Sequence, residues 1–408
     1  MHQSFSIGGE TLDSLDLKAL IVAKGVKVSR NVYERFGRTH RIYPDPLTCN
    51  CLILPDGTIV QMTDLALHMR YLKTAILLEA LRNIKYTMRL RTPFTLDLSS
   101  DGRPILLHDG ALITEVSFPP ASRFYEQRTS SGLPYLGNAV LQGLDFLSFQ
   151  CLWPCQFAKT GHACQFCYSG GVVERLSKRK KPDPPVPTPR DAAEIVEFAV
   201  TKEKSASHIQ ITGGSTLNTQ AECQRIVQYL SEIHRVVGLE NITGEVLVYT
   251  TPPRDPTEVD QVFAAGADRI ACSLEVWDKE LAKIITPGKA KFTGRQRHVD
   301  CLTYIAGKYG PNRACTSFVV GVEPAESFLA GARYLAQRGI VPIASIWIPF
   351  GRPVMGKMEA PGLEYYRRVK EGLAGIYEDY DIEPPGSFGL NVCLCRDIWN
   401  HRSEINAA

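Results

Sequence analysis

From Asp145 onward the chain alternates short apolar runs with helix-period segments, and that rhythm limits the folds open to it. The apolar runs read DFLSFQC, HIQITGG, GEVLVYTT, RIACSLEVW, ACTSFVVGV and VPIASIWIPF. Most are rich in β-branched residues, as expected of strands covered on both faces. Between them lie segments of helical periodicity such as AECQRIVQYLSEIHRVV and AESFLAGARYLAQRG. Gly310 and Gly339 stand where two of these helices should stop, in the manner of C-cap glycines. GLEYYRRVKEGLAGIYEDY closes the series as a helix. Strands joined by helical crossovers require a parallel sheet with right-handed connections. Six units fall two short of a closed eight-stranded barrel. The expected fold class is therefore α/β, a partial (β/α)6 TIM-like barrel with its chemistry at the carboxyl ends of the strands.

A chain of 408 residues is long for one domain, so an appendage is expected. The expected division is an N-terminal α+β accessory region over 1–140, the barrel over 141–378 and a C-terminal extension over 379–408. In the first region, CLILPDGTIVQM reads as strand, Pro-Asp-Gly turn and strand. A helix is expected from Asp64 to near Tyr86. FTLDLSSDGRPILLHDGALITEVSF is again strand and turn, with Asp101-Gly102 and Asp109-Gly110 as turn signals. At the other end, NVCLC follows Pro384-Pro385 and reads as an added strand or tail over the barrel mouth.

Composition adds exclusions. Hydrophobic residues make up 44% and charged residues 22%, enough for a sizeable core. A net charge of +3 does not by itself point to nucleic acid. No apolar run approaches the roughly 20 residues of a membrane helix. The N-terminus carries acids and lacks an apolar signal core, so a cytoplasmic protein is expected. Twelve cysteines in such a setting point to metal or redox chemistry, not to a disulfide framework.

Four of those cysteines, Cys151, Cys155, Cys164 and Cys167, lie in CLWPCQFAKTGHACQFC, which starts on the last residue of the first apolar run. Three thiolates from one loop can hold three irons of a cubane cluster and leave the fourth open to a ligand. Zinc is the alternative, although a CxxxC arm and an eight-residue spacer are cramped for a zinc knot. The stretch ERLSKRKKPDPPVPTPR that follows reads as a solvated loop.

Taken together, residues 145–378 resemble the radical S-adenosylmethionine superfamily. The usual spacing there is CxxxCxxC. The closest set here is Cys155, Cys164 and Cys167, with Phe166 before the last cysteine. The long first gap, CxFC and Gly170-Gly171 look like the catalytic subunit of Elongator. Cys151 is the alternative first ligand. The resemblance implies a [4Fe-4S] cluster and S-adenosylmethionine as cofactors. It places Gly213, Gly214 and Ser215 of ITGGST at the amino group of S-adenosylmethionine, since glycine lets backbone approach a ligand closely. It places Glu275, with Ser273, against the ribose or amino-acid part of that molecule. Arg295 or Arg297 would meet its carboxylate, as in biotin-synthase-like members. Gly321 would support the adenine, and Ile346 and Ile348 would contact it. Trp277, Tyr249, His208 and Arg352 lie near strand starts or ends, with no role assigned.

The activity so implied is reductive cleavage of S-adenosylmethionine to a 5′-deoxyadenosyl radical, which abstracts hydrogen from the substrate. An oxygen-sensitive enzyme is expected, fed by a flavodoxin- or ferredoxin-like donor. The substrate is expected to be a small molecule of cofactor or secondary-metabolite biosynthesis. RNA is the alternative, suggested by the Elongator-like loop and the KRKK run, but no RNA-binding module is visible. A non-enzymatic zinc module is the second alternative. Cys49, Cys51, Cys151, Cys393 and Cys395 are either buried thiols or ligands of an auxiliary iron–sulfur cluster.

Overall fold

The computed structural model describes residues 3–45, 47–65, 87–88, 91–167, 173, 176, 183, 185–348, 350–351, 355, 358–386 and 392–407. Most of the helix expected from Asp64, the Gly170-Gly171 pair, the KRKK run and Arg352 lie outside the described residues.

Seven strands form one sheet in sequential order: β1 (Ala139–Gln142), β2 (Phe146–Leu152), β3 (His208–Gly213), β4 (Val246–Tyr249), β5 (Arg269–Ala271), β6 (Ala314–Val320) and β7 (Ile340–Ile346). β2 to β7 are parallel neighbours, and the sheet curls into a half-barrel. The six expected strands are all present. β1 is an addition, paired antiparallel to β2 through the short turn at Gly143. Its segment AVLQ is too short to stand out as a strand, and it gains its stability from pairing.

Helices follow the strands: α1 (Pro189–Glu197), α2 (Thr219–Val237), α3 (Asp260–Ala264), α4 (Lys279–Ile285), α5 (Pro287–Phe292), α6 (Gly294–Tyr309), α7 (Ala325–Ala336) and α8 (Leu363–Asp379). Side-chain alternation along each strand separates the two faces. Ser148 of β2 sits opposite Gln210 of β3 and donates to its amide oxygen at 2.7 Å. The next residue, Phe149, is buried and stacks on Tyr229 of α2.

The strand expected through Trp277 ends early, with regular pairing stopping at Ala271. Glu275 has a φ of +71°, a left-handed conformation that few non-glycine residues adopt. Two hydrogen bonds to β6 hold it there: its N–H donates to Ser317 O at 2.8 Å, and Val319 N–H donates to its carbonyl at 2.9 Å.

The N-terminal segment packs against this half-barrel. Helix Ser14–Lys24 is capped by Asp13 and almost wholly buried. Its buried charges, Asp16 and Lys18, are tolerated because both are matched. Lys18 meets Asp397 at 2.7 Å. Lys370 of α8 meets Asp13 at 2.6 Å and Asp16 at 2.7 Å. The expected hairpin is Asn50–Ile53 with Ile59–Met62, paired antiparallel. The later strands, Phe94–Leu98, Pro104–His108 and Ala111–Glu115, turn at Asp109 and Gly110, both at positive φ.

The C-terminal expectation is corrected in part. Cys393 makes a single antiparallel bridge to Ser345, and α9 (Cys395–Ala407) follows as a helix against α8. The Cys395 thiol accepts the Ala344 N–H at 3.0 Å. A side chain thus takes a backbone donor on β7 that a continuing strand would otherwise approach.

Candidate active site

None of the twelve cysteines forms a disulfide, and nine are buried. The partly exposed ones are Cys155, Cys164 and Cys167, all on the loop that leaves the carboxyl end of β2. Cys151 is different. It is 1% exposed within the main core, and burial, with Glu222 nearby, pushes its thiol up to about 12.

The loop is pinned by backbone. Gln156 N–H donates to Ser215 O at 2.8 Å, and Gly214 N–H donates to Leu152 O at 2.9 Å. Gln165 N–H donates to Ile285 O at 2.8 Å, tying the CxFC turn to α4. A Cβ on Gly214 would lie 2.4 Å from Cys155 Cα, and one on Gly213 would lie 2.7 Å from Leu152 Cβ. These glycines let the cysteine loop close onto the end of β3. That packing requirement stands beside the ligand approach inferred from sequence. A Gly214→Ala variant is expected to push Cys155 away and cut iron retained after anaerobic reconstitution by more than half, measured per chain.

A cavity of about 470 Å³ opens at this end of the barrel, within the range of small-molecule sites. Phe166 and Cys167 line it, with Gly213, Gly214 and Ser215 at the end of β3. Ser273 and Glu275 line it after β5, and Ile346 at the end of β7 and Ile348 just beyond it also line it. Sequence reasoning missed Lys289, which also lines it. Its ammonium donates to Ser273 O at 2.6 Å and to Glu275 Oε1 at 2.8 Å. Burial pulls its pKa down, but Glu275 and then Cys164 outweigh that and hold it above the ordinary value. Burial pushes the Cys164 thiol well up, and Lys289 opposes the shift. Lys289 reaches the cavity because ITPGKAKF folds into α4 and α5, with Gly288 against His162 O and Phe157.

Glu222 of α2 is a second residue that the sequence did not single out. It is 5% exposed, lines the cavity and accepts the Thr251 N–H at 3.2 Å. Burial raises its pKa from 4.5 to about 8, against the Thr251 and Thr250 hydrogen bonds that lower it. The unfolded chain therefore ionises this group first. Stability should fall as pH rises from about 4.5 towards about 8, where the folded state binds the extra proton. Urea unfolding across that window is expected to show a shallower fall in Glu222→Gln.

The two arginines lie elsewhere. Arg295 stacks over Trp277 at 4.3 Å and donates to Trp277 O, beside a neighbouring pocket of about 380 Å³. Arg297 is half-buried, with its pKa lowered by burial and by Arg254. Neither is among the residues lining the main cavity. Gly321, at a φ of +104°, donates its N–H to the Tyr365 hydroxyl at 2.8 Å and also lies outside that lining. Tyr249 lines the cavity, and its hydroxyl lies 3.0 Å from Ser317 Oγ. His208 is at the opposite, amino end of β3, near Asp145.

Cys49, Cys51, Cys393 and Cys395 are all buried. Burial pushes Cys49 to about 12 and Cys51 to about 11. Among the described residues, no group of three His, Cys, Asp or Glu side chains is arranged to hold a single metal ion. Among them, too, no helix is long and apolar enough to cross a membrane.

Residues 160–329, which include Cys164, Cys167, Glu275 and Lys289, match the model of the radical SAM superfamily. The chain is 23% identical over 305 residues to bacteriochlorophyllide c C-7(1)-hydroxylase of Chlorobaculum limnaeum, covering 72% of this chain and 75% of that protein. Coproporphyrinogen III oxidase from Escherichia coli, a radical SAM enzyme, aligns over 43% of this chain at 16% identity and a TM-score of 0.31. The chain spans 41% of that enzyme. A radical SAM methyltransferase from Sphaerobacter thermophilus aligns over 77% of this chain and 81% of its own, at 15% identity and a TM-score of 0.39.

Proposed function

Because this chain belongs to the radical SAM superfamily and is an enzyme of that class, we propose that its cavity turns over a small-molecule substrate by S-adenosylmethionine radical chemistry. The family implies a [4Fe-4S] cluster and S-adenosylmethionine. When bound, the pair would supply one-electron reductive cleavage of the sulfonium and a carbon radical able to take hydrogen from the substrate.

The observation that carries this reading is the placement of Cys155, Cys164 and Cys167. They are the cysteines left partly exposed, on one loop, with Cys167 facing the cavity. Thiolates suit iron, and the Lys289 ammonium opposes the burial that pushes the Cys164 thiol up. These three would hold the cluster. Cys151, enclosed in the core, would serve packing.

The remaining wall would orient S-adenosylmethionine. The strand end at Gly213, Gly214 and Ser215 would receive its ammonium group. Lys289 would meet its carboxylate, the role that sequence reasoning gave to Arg295 or Arg297. Glu275, fixed by Lys289 and by β6, would accept from hydroxyl groups. Phe166, Ile346 and Ile348 would cover apolar parts and exclude water. Electrons would come from a flavodoxin- or ferredoxin-like protein. The relative named for hydroxylation of bacteriochlorophyllide c supports a substrate from cofactor biosynthesis.

Anaerobic reconstitution followed by dithionite reduction tests the proposal. A brown protein that forms 5′-deoxyadenosine and methionine is the expected result. Colourless protein carrying zinc and no iron would sink it.

A further inference from the structure

The cavity continues past the cysteine loop to a wall on which the proposed cofactor chemistry makes no claim. That wall is built from Gln61, Gln142, and the Ser148–Gln210 pair. Gln142 ends β1, while Ser148 and Gln210 face inward from β2 and β3. Gln61 comes from the hairpin strand Ile59–Met62. Its partner across the hairpin is Cys51, whose thiol lies 3.9 Å from Gly143 O in the β1–β2 turn. The hairpin thus abuts the edge of the sheet and sends one side chain into the barrel.

Among the described residues, Gln61 Oε1 is buried and has no hydrogen-bond partner. A buried amide oxygen left unpaired costs about 1–3 kcal/mol, so its position calls for a donor from a ligand. No lysine, arginine, histidine or carboxylate belongs to this group of four. The same cavity is also lined by the apolar side chains of Val319, Ile343 and Val392. The ionisable groups described in the lining, including Glu275 and Lys289, sit with the proposed cofactor end or, like Glu222, on α2.

We propose that Gln61, with Gln142, Ser148 and Gln210, forms the substrate's polar subsite. It takes an uncharged group bearing a hydrogen-bond donor, an amide N–H or a hydroxyl, on an otherwise apolar molecule. The proposal rests on the cavity being the substrate chamber of the enzyme reading above. It assigns a substrate-sorting role to the N-terminal hairpin.

The test uses the full chain, purified anaerobically, and probes that share one ring. Benzamide, benzyl alcohol and benzoate are titrated by ligand-observed NMR. Benzamide and benzyl alcohol are expected to bind more tightly than benzoate. Gln61→Leu should weaken both by about tenfold, the value of one hydrogen bond to an otherwise unpaired group. Gln61→Glu should turn the preference towards benzylamine, which is cationic at neutral pH. Thermal melts of both variants within a few degrees of the parent exclude misfolding as the cause. Benzoate binding as tightly as benzamide, no binding of any probe, or no effect of Gln61→Leu would overturn the proposal. Failure of the cluster to assemble would leave these titrations readable, so the two readings fail separately.

Discussion

Single replacement of Cys155, Cys164 or Cys167 by alanine is expected to bring 5′-deoxyadenosine formation down to the level of the assay without enzyme. Each thiolate would hold a different iron, so losing one opens a second corner of the cubane to solvent and undermines its assembly. Iron and sulfide content should fall together in all three variants, with loss of the brown colour. Cys151→Ala should behave differently. That thiol lies in the core near α2, 1% exposed and held neutral by burial. Its removal should cost about 1 kcal/mol of stability, as for other small truncations in a packed core. Iron content and cleavage per folded chain should stay at the parent level. The reverse pattern, with iron lost in Cys151→Ala and kept in Cys155→Ala, would move the first ligand to Cys151.

The sequence carried the barrel because strand and helix periodicities differ and the parallel strands are apolar on both faces. β2 to β7 were therefore visible as runs. β1 was not, because four residues next to a turn give too short a pattern to separate from loop. The early end of β5 was hidden for another reason: Glu275 takes a left-handed backbone conformation imposed by β6, a neighbour distant in sequence. The cysteine loop was legible from spacing alone. Which of its cysteines faces the core depended on strand register, which only the folded sheet supplies. Lys289 was not legible, because the family resemblance points to Arg295 and Arg297, and only the fold brings Lys289 to the cavity lining. The Pro287-Gly288-Lys289 turn was the available signal, since glycine there permits the close approach to His162 and Phe157 that brings the lysine inward. Gln61 lay outside any barrel pattern, and its place in the cavity follows from the hairpin docking on the sheet edge.

Lys289→Met should produce the second large effect, and the geometry separates its causes. A lysine ammonium has three N–H donors, of which Ser273 O and Glu275 Oε1 take two. Among the described residues no other acceptor takes the third, and Lys289 lines the cavity where a ligand could. Loss of that contact to a carboxylate should weaken S-adenosylmethionine binding by about 3 kcal/mol, roughly a hundredfold in Kd. Lys289→Met also strands the Glu275 carboxylate, which is only 15% exposed, and should lower stability by a comparable amount. The double variant Lys289→Met/Glu275→Gln divides these effects. Neutralising residue 275 removes the unpaired charge, so stability in urea should recover most of the loss. Affinity measured by titration calorimetry on the reconstituted protein should not recover, because the carboxylate still lacks its cation. If the double variant binds S-adenosylmethionine as tightly as the parent, Lys289 is a structural partner of Glu275 and the carboxylate is met elsewhere.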